Sequence, residues 1–139
     1  MNVRSPAAIY RAYVEAETAR NEAAMQALLA PDIEIQLNGK AALGSADEDA
    51  TAMAALFAAY PDYHREIIDI LEEGSRAAAR WRMVGHPRPD LADQLPPIDI
   101  RGCSVVTVDA GRMTEAFVWS PSDALERVLG LVEGLDASG

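Results

Sequence analysis

Residues 98–120 read IDIRGCSVVTVDAGRMTEAFVWS. Two runs of β-favouring residues, Ser-Val-Val-Thr-Val on one side and Met-Thr-Glu-Ala-Phe-Val-Trp on the other, flank Asp109-Ala110-Gly111. A short glycine-containing turn between such runs predicts a β-hairpin. No other stretch is so plainly sheet, and the rest of the chain reads as strands and helices packed onto it.

Upstream of the hairpin, residues 86–97 hold four prolines and no periodicity, which predicts an irregular loop. Before it come a long strand over 77–85, a turn at Glu73-Gly74-Ser75 and a strand over 63–71. Met53, Leu56, Phe57 and Tyr60 form one face of a helix. Ser45 is its cap, Glu48 completes a capping box, and Pro61-Asp62 stops it. Ile33, Ile35 and Leu37 alternate with Glu34, Gln36 and Asn38 as a half-buried strand, followed by a loop over 39–44. Two helices open the chain. The first is announced by Ser5-Pro6 and striped by Ile9, Tyr10, Tyr13 and Val14. The second runs over 22–29. A last helix follows Pro121-Ser122-Asp123, with its end near Gly130 and a frayed tail over 131–139. Helices segregated from a mostly antiparallel sheet make one α+β domain over residues 1–139, in which a curved sheet wraps a long helix and leaves a conical pocket.

The chain has 139 residues, half of them hydrophobic, and a formal net charge of -10. That charge argues against nucleic acid, whose phosphates demand a basic face. A single cysteine, Cys103, excludes an internal disulfide, and the opening residues lack the apolar run of a signal peptide. A soluble cytoplasmic protein without a membrane partner is expected. Two histidines and one cysteine offer no metal-ligand spacing, and neither a P-loop nor a dinucleotide fingerprint occurs.

The element order, together with several local phrases, resembles the nuclear transport factor 2-like superfamily and, within it, the SnoaL-like polyketide cyclases. The phrases are Leu28-Leu29-Ala30-Pro31-Asp32, Tyr60-Pro61-Asp62, Ala79-Arg80-Trp81, Leu95-Pro96-Pro97, Arg101-Gly102, Asp109-Ala110-Gly111-Arg112 and Arg127-Val128-Leu129-Gly130. The resemblance implies a cone-shaped α+β barrel, often a homodimer, with an apolar cavity for a polyketide-like small molecule and no cofactor. It also implies an acid near the end of the last strand, moving protons in an intramolecular aldol closure. Counting back from Arg127, that acid falls at Ser120, and serine alone is no acid or base near neutral pH. Ketosteroid isomerases of this fold imply a carboxylate near Leu37, and limonene epoxide hydrolases imply aspartates near Arg82 and Val118 beside an arginine at Arg80. Neither set is present.

The remaining candidates are therefore open. Arg80 and Arg82 share one strand face. If Arg80 matches the hydrolase arginine, both enter the pocket and clamp an enolate; otherwise they lie outside and pair with Asp69 or Glu115. His86 at the strand end, or Asp99 in the hairpin, could move protons, and Ser120 could position substrate or a water. Tyr10, Tyr13, Phe57 and Tyr60 lie on helices roofing the pocket. Tyr13, Phe57 and Tyr60, with Asn38, Val118 and Trp119, are the candidate substrate contacts. Asp123 is expected at a helix N-terminus, where a carboxylate is favourable. The reading is a cofactor-free cyclase of polyketide type, with an epoxide hydrolase or dehydratase and a non-catalytic binding module as alternatives.

Overall fold

The computed structural model describes residues 4–121 and 124–138. Its strands are β1 (Leu29–Leu37), β2 (Lys40–Leu43), β3 (His64–Glu73), β4 (Arg76–Gly85), β5 (Ile98–Asp109) and β6 (Arg112–Trp119). They form one sheet in the order β2-β1-β6-β5-β4-β3, antiparallel throughout except for the parallel β1–β6 pair. The helices are α1 (Pro6–Thr18), α2 (Glu22–Ala27), α3 (Ala46–Ala59) and α4 (Ala124–Ser138). The loop before β5 carries one 3₁₀ turn, Pro89–Leu91. This is the expected α+β architecture.

Local chemistry sets most boundaries. Ser5 Oγ accepts the Ala8 N–H at the start of α1, with proline at the first helical position. Ser45 Oγ does the same for the Glu48 N–H of α3. The Glu48 carboxylate reaches one residue further back than a capping box requires, to the Gly44 N–H at 2.6 Å. The β5–β6 turn places Ala110 at φ 52° and Gly111 at φ 79°, the paired positive angles of a type I′ hairpin.

Three boundaries differ from the sequence reading. Residues 39–44 hold strand β2 rather than a loop, because Asn38 (φ 51°) and Gly39 (φ 82°) form a second tight turn. Helix α2 stops at Ala27, since the Leu28 carbonyl accepts the Met113 N–H and Leu29 pairs with Met113 in the sheet. Helix α4 continues past Gly130 to Ser138. Asp123 lies outside the described residues.

The inner face of the sheet is apolar. Along β4, buried Ala77, Ala79, Trp81 and Met83 alternate with Arg76, Ala78, Arg80 and Arg82. Trp81 is fully buried opposite Gly102 of β5. A Cβ on Gly102 would lie 2.6 Å from the indole ring and closer still to the Trp119 carbonyl oxygen, so only glycine fits. In β6 a bulge at Thr114 changes the alternation, and both Met113 and Ala116 thereby face the interior. Among the described residues no helix is long and apolar enough to cross a membrane.

Candidate active site

The sheet does not close fully on its helices. A cavity of about 690 Å³ lies between the inner face of β1, β5 and β6 and the helices α1, α3 and α4. Leu29, Ile33, Ile35, Met83, Val106, Met113 and Val118 give it apolar walls, and Met53, Leu56, Leu125 and Leu129 cover it from the helices. The volume suits an organic molecule of several rings. Against these walls a few polar side chains converge: Tyr10 and Tyr13 from α1, Asp49 from α3, Arg65 from β3 and Ser104 from β5.

Asp49 sits in the first turns of α3, four residues before Met53 and seven before Leu56, on the stripe that faces inward. Its carboxylate accepts the Tyr13 hydroxyl at 2.6 Å. Burial pushes its pKa above the usual aspartate range, against the opposing pull of the Tyr13 hydrogen bond and the Arg65 charge. Burial and the neighbouring carboxylate push the Tyr13 phenol well up too, so it remains a donor. A carboxylate held in an apolar cavity with a raised pKa is a better proton acceptor than a free aspartate, and so suited to take and return a proton.

Beside it, Arg65 runs under the helix. Arg65 Nη2 lies 3.3 Å from Glu17 Oε2, with the two side chains 12% and 1% exposed. Its Nη1 donates to the Tyr10 hydroxyl at 2.8 Å, and Nη2 also reaches the Tyr63 hydroxyl at 3.3 Å. Two atoms of this pair, Glu17 Oε1 and Arg65 Nε, have no hydrogen-bond partner among the described residues. Burial raises the Glu17 pKa despite Arg65. Arg65 remains charged, since the Glu17 carboxylate and the two tyrosines outweigh its desolvation. Trp81 Nε1 donates to Ser104 Oγ at 2.8 Å, and the Tyr10 hydroxyl lies 3.4 Å from that oxygen.

Of the residues named from the sequence as roof or substrate contacts, Tyr10, Tyr13 and Val118 line this cavity. Of the two placements open for Arg80 and Arg82, the inner clamp is corrected and the outer one is found, because Trp81 and Met83 occupy the inner face. Arg80 is held by Asp69 through two 2.7 Å bonds, and Arg82 by Asp99 at 2.8 and 2.9 Å. Asp99 is thereby also placed outside. His86 is exposed beyond the end of β4, its Nδ1 2.8 Å from Asp62. Hydrogen bonds from the His86 backbone and ring hold Asp62 below the usual aspartate range. Ser120 lies past the end of β6 with its N–H donating to Asn38 Oδ1 at 2.9 Å, outside the cavity lining.

Asn38 has a different task from the one expected. Its N–H donates to the Val118 carbonyl, and its Nδ2 reaches Glu126 at 3.0 Å, so it ties the ends of β1 and β6 to α4. Tyr60 is fully buried, with its hydroxyl on the Pro96 carbonyl at 2.7 Å. Phe57 packs beneath the Arg20 guanidinium, 4.2 Å from the ring centroid. Trp119 turns outward, half exposed. Asp49, Arg65 and Ser104 were missed. Asp49 stands in the acidic run Asp47-Glu48-Asp49, which reads as helix N-terminal charge; only its phase with Met53 and Leu56 marks it as buried. Among the described residues no group of His, Cys, Asp and Glu converges to hold a metal ion.

Comparison with known proteins places this geometry. No curated protein matches the chain. An NTF2-like protein from Burkholderia thailandensis superposes with a TM-score of 0.73 at 21% identity, covering 91% of this chain and 98% of that one. A Pseudomonas putida protein provisionally named a polyketide cyclase gives 0.70 at 19% identity, over 90% and 98% of the two chains. A protein of ketosteroid isomerase-like fold from Catenulispora acidiphila, solved with trimethylamine, gives 0.70 at 16% identity, over 91% and 95%. At these identities the likeness is one of fold. The model of the SnoaL-like domain matches residues 10–116, and the chain belongs to that family.

Proposed function

We propose that this protein is a cofactor-independent acid–base enzyme of the polyketide-cyclase type, acting on an oxygen-bearing carbon skeleton held in the cavity. The observation that carries the reading is Asp49: a buried carboxylate with a raised pKa, fixed by Tyr13 at 2.6 Å, on the wall of an apolar cavity. Asp49 takes a proton from a carbon next to a carbonyl, and the electron pair moves onto the carbonyl oxygen. The enolate carbon then bonds to a second carbonyl carbon of the same molecule. Asp49 returns its proton to the resulting alkoxide, so the group ends as it began. Tyr13 orients the carboxylate and holds it below the pKa that burial alone would impose. In this reading the acid has moved from the end of the last strand, where Ser120 stands, to α3.

The test is exchange of the α-proton of a bicyclic β-keto ester for deuterium, followed by NMR. Asp49→Asn should slow protein-catalysed exchange by about 10²–10⁴-fold, the usual contribution of a positioned acid or base. Arg80→Ala, altered on the outer face, should leave it unchanged. Equal exchange by Asp49→Asn and the wild type would remove Asp49 from the mechanism.

One observation favours a second reading. Asp47, Glu48, Asp49 and Glu126 all contribute to the cavity lining, whereas its cation, Arg65, already pairs with Glu17. With a neighbour of the same fold solved with trimethylamine, this favours a binding module for small amines. Trimethylammonium bound in the cavity, with no exchange activity toward any keto compound tried, would support it.

A further inference from the structure

The Tyr10–Ser104 pair holds one more proton than the described residues can accept. A guanidinium only donates, so at 2.8 Å Arg65 Nη1 gives a hydrogen bond to the Tyr10 oxygen. An indole nitrogen also only donates, so Trp81 Nε1 gives one to Ser104 Oγ at 2.8 Å. Each hydroxyl thus accepts an N–H and keeps its own proton. One of those protons can lie between the two oxygens, which are 3.4 Å apart. Whichever hydroxyl supplies it, the other is left without an acceptor among the described residues. Both side chains line the cavity and are buried, Tyr10 at 3% and Ser104 at 2% exposure. Even the shared proton is loosely held, since 3.4 Å is long for a bond between hydroxyls.

We infer that Tyr10 and Ser104 form an acceptor-binding subsite that takes a carbonyl or enolate oxygen of the ligand. This rests on the reading of the cavity as a site for an oxygen-bearing skeleton, and it names the group by which that skeleton is recognised. The spacing fits. Tyr10 and Tyr13 are three residues apart on one face of α1, a rise of about 4.5 Å. Tyr10, Tyr13 and Asp49 all line the one cavity, so an oxygen held at Tyr10 belongs to a ligand that shares it with the Tyr13–Asp49 pair. Arg65 and Trp81 donate into the two hydroxyls and sharpen their remaining protons as donors, which favours an oxygen gaining negative charge. The cavity selects ketones over hydrocarbons of the same shape.

The test uses 1-tetralone, labelled with carbon-13 at the carbonyl, and tetralin, the same skeleton without the oxygen. In the wild-type protein the carbonyl stretch of bound tetralone should fall below its value in cyclohexane. Tetralone should bind about five- to tenfold more tightly than tetralin, the margin of one net hydrogen bond. Removing one hydroxyl frees the other's proton, so Tyr10→Phe and Ser104→Ala should each keep a lowered stretch. The double variant loses both hydroxyl donors and should move the band closer to its cyclohexane position than either single variant does, the remaining shift being that of the Arg65 N–H left without its Tyr10 acceptor. An unshifted band in the wild type, or undetectable tetralone binding, would overturn the inference without any variant having to fold. Asp49→Asn should leave the band lowered. If that holds while proton exchange does not depend on Asp49, the catalytic reading falls and the subsite stands.

Discussion

Replacing Glu17 by leucine should cost far more than its position near the end of α1 suggests. The carboxylate is 1% exposed and stands 3.3 Å from the Arg65 guanidinium, itself 12% exposed. Removing one partner of a buried ion pair leaves the other charge uncompensated, at a cost of about 3–5 kcal/mol. Arg65 is poorly placed to absorb the loss. Its Nε already has no partner among the described residues, and without Glu17 its guanidinium keeps hydrogen bonds to the Tyr10 and Tyr63 hydroxyls, the Trp81 ring at 5.2 Å and the charge of Asp49, to which it is not hydrogen-bonded. For a chain of this length the loss corresponds to a fall in melting temperature of about 10–15 °C. Replacing both partners, Glu17→Leu with Arg65→Met, removes the charges together and should cost less than Glu17→Leu alone. The assay is urea unfolding followed by circular dichroism at pH 7, with the wild type, Glu17→Leu, Arg65→Met and the double variant compared at constant m-value. A Glu17→Leu cost under about 1 kcal/mol, or a double variant as unstable as the sum of the singles, would refute the claim that this pair is a buried, mutually dependent unit.

Three further outcomes follow from the geometry. Asp49 and Glu17 both have pKa values raised by burial, so the folded state binds their protons more tightly than the unfolded chain does. Their contribution is greatest below the unfolded carboxylate value of about 4 and declines as pH rises through the folded values. Asp49→Asn should flatten part of that decline in a pH series of unfolding curves, and wild-type proton exchange should rise over the same window. Gly102→Ala should destabilise the protein by about 1–3 kcal/mol or more, since its methyl meets Trp81 and the Trp119 carbonyl; unaltered urea unfolding would show that the sheet yields there. Ala110→Gly should stabilise it by about 1 kcal/mol, because Ala110 holds a left-handed φ of 52° in the hairpin turn, and a melting temperature at or below the wild type would contradict this.

The elements were legible wherever the signal was local. Ser5-Pro6, Ser45 and Asp109-Ala110-Gly111 state their caps and turn within a few residues, and the structure places a helix start or a turn at each. Asn38-Gly39 carries an equally local hairpin signal, which the loop expected over 39–44 leaves unused. The site was less legible because it depends on which way alternating residues point. For β4 the answer was present: Trp81 and Met83 against Arg80 and Arg82 is a clear apolar and charged alternation. The inner placement rests on matching one arginine to an enzyme of the same fold, and this alternation argues against it. Asp49, Glu17 and Arg65 are harder, since charged residues on an otherwise apolar stripe read as surface until their partners are known. Those partners are 36 and 48 residues away in sequence, beyond the reach of any periodicity.

Trp81 has a use that its packing alone does not suggest. Of the two tryptophans in the chain, Trp119 is half exposed, while Trp81 is sealed under the cavity floor with its N–H on Ser104. In a Trp119→Phe background the protein would carry a single emitter, joined by one hydrogen bond to the cavity wall. Its fluorescence would then register which guests touch the floor, in unlabelled protein and in real time, so that a library of carbon skeletons can be ranked before any reaction has been found.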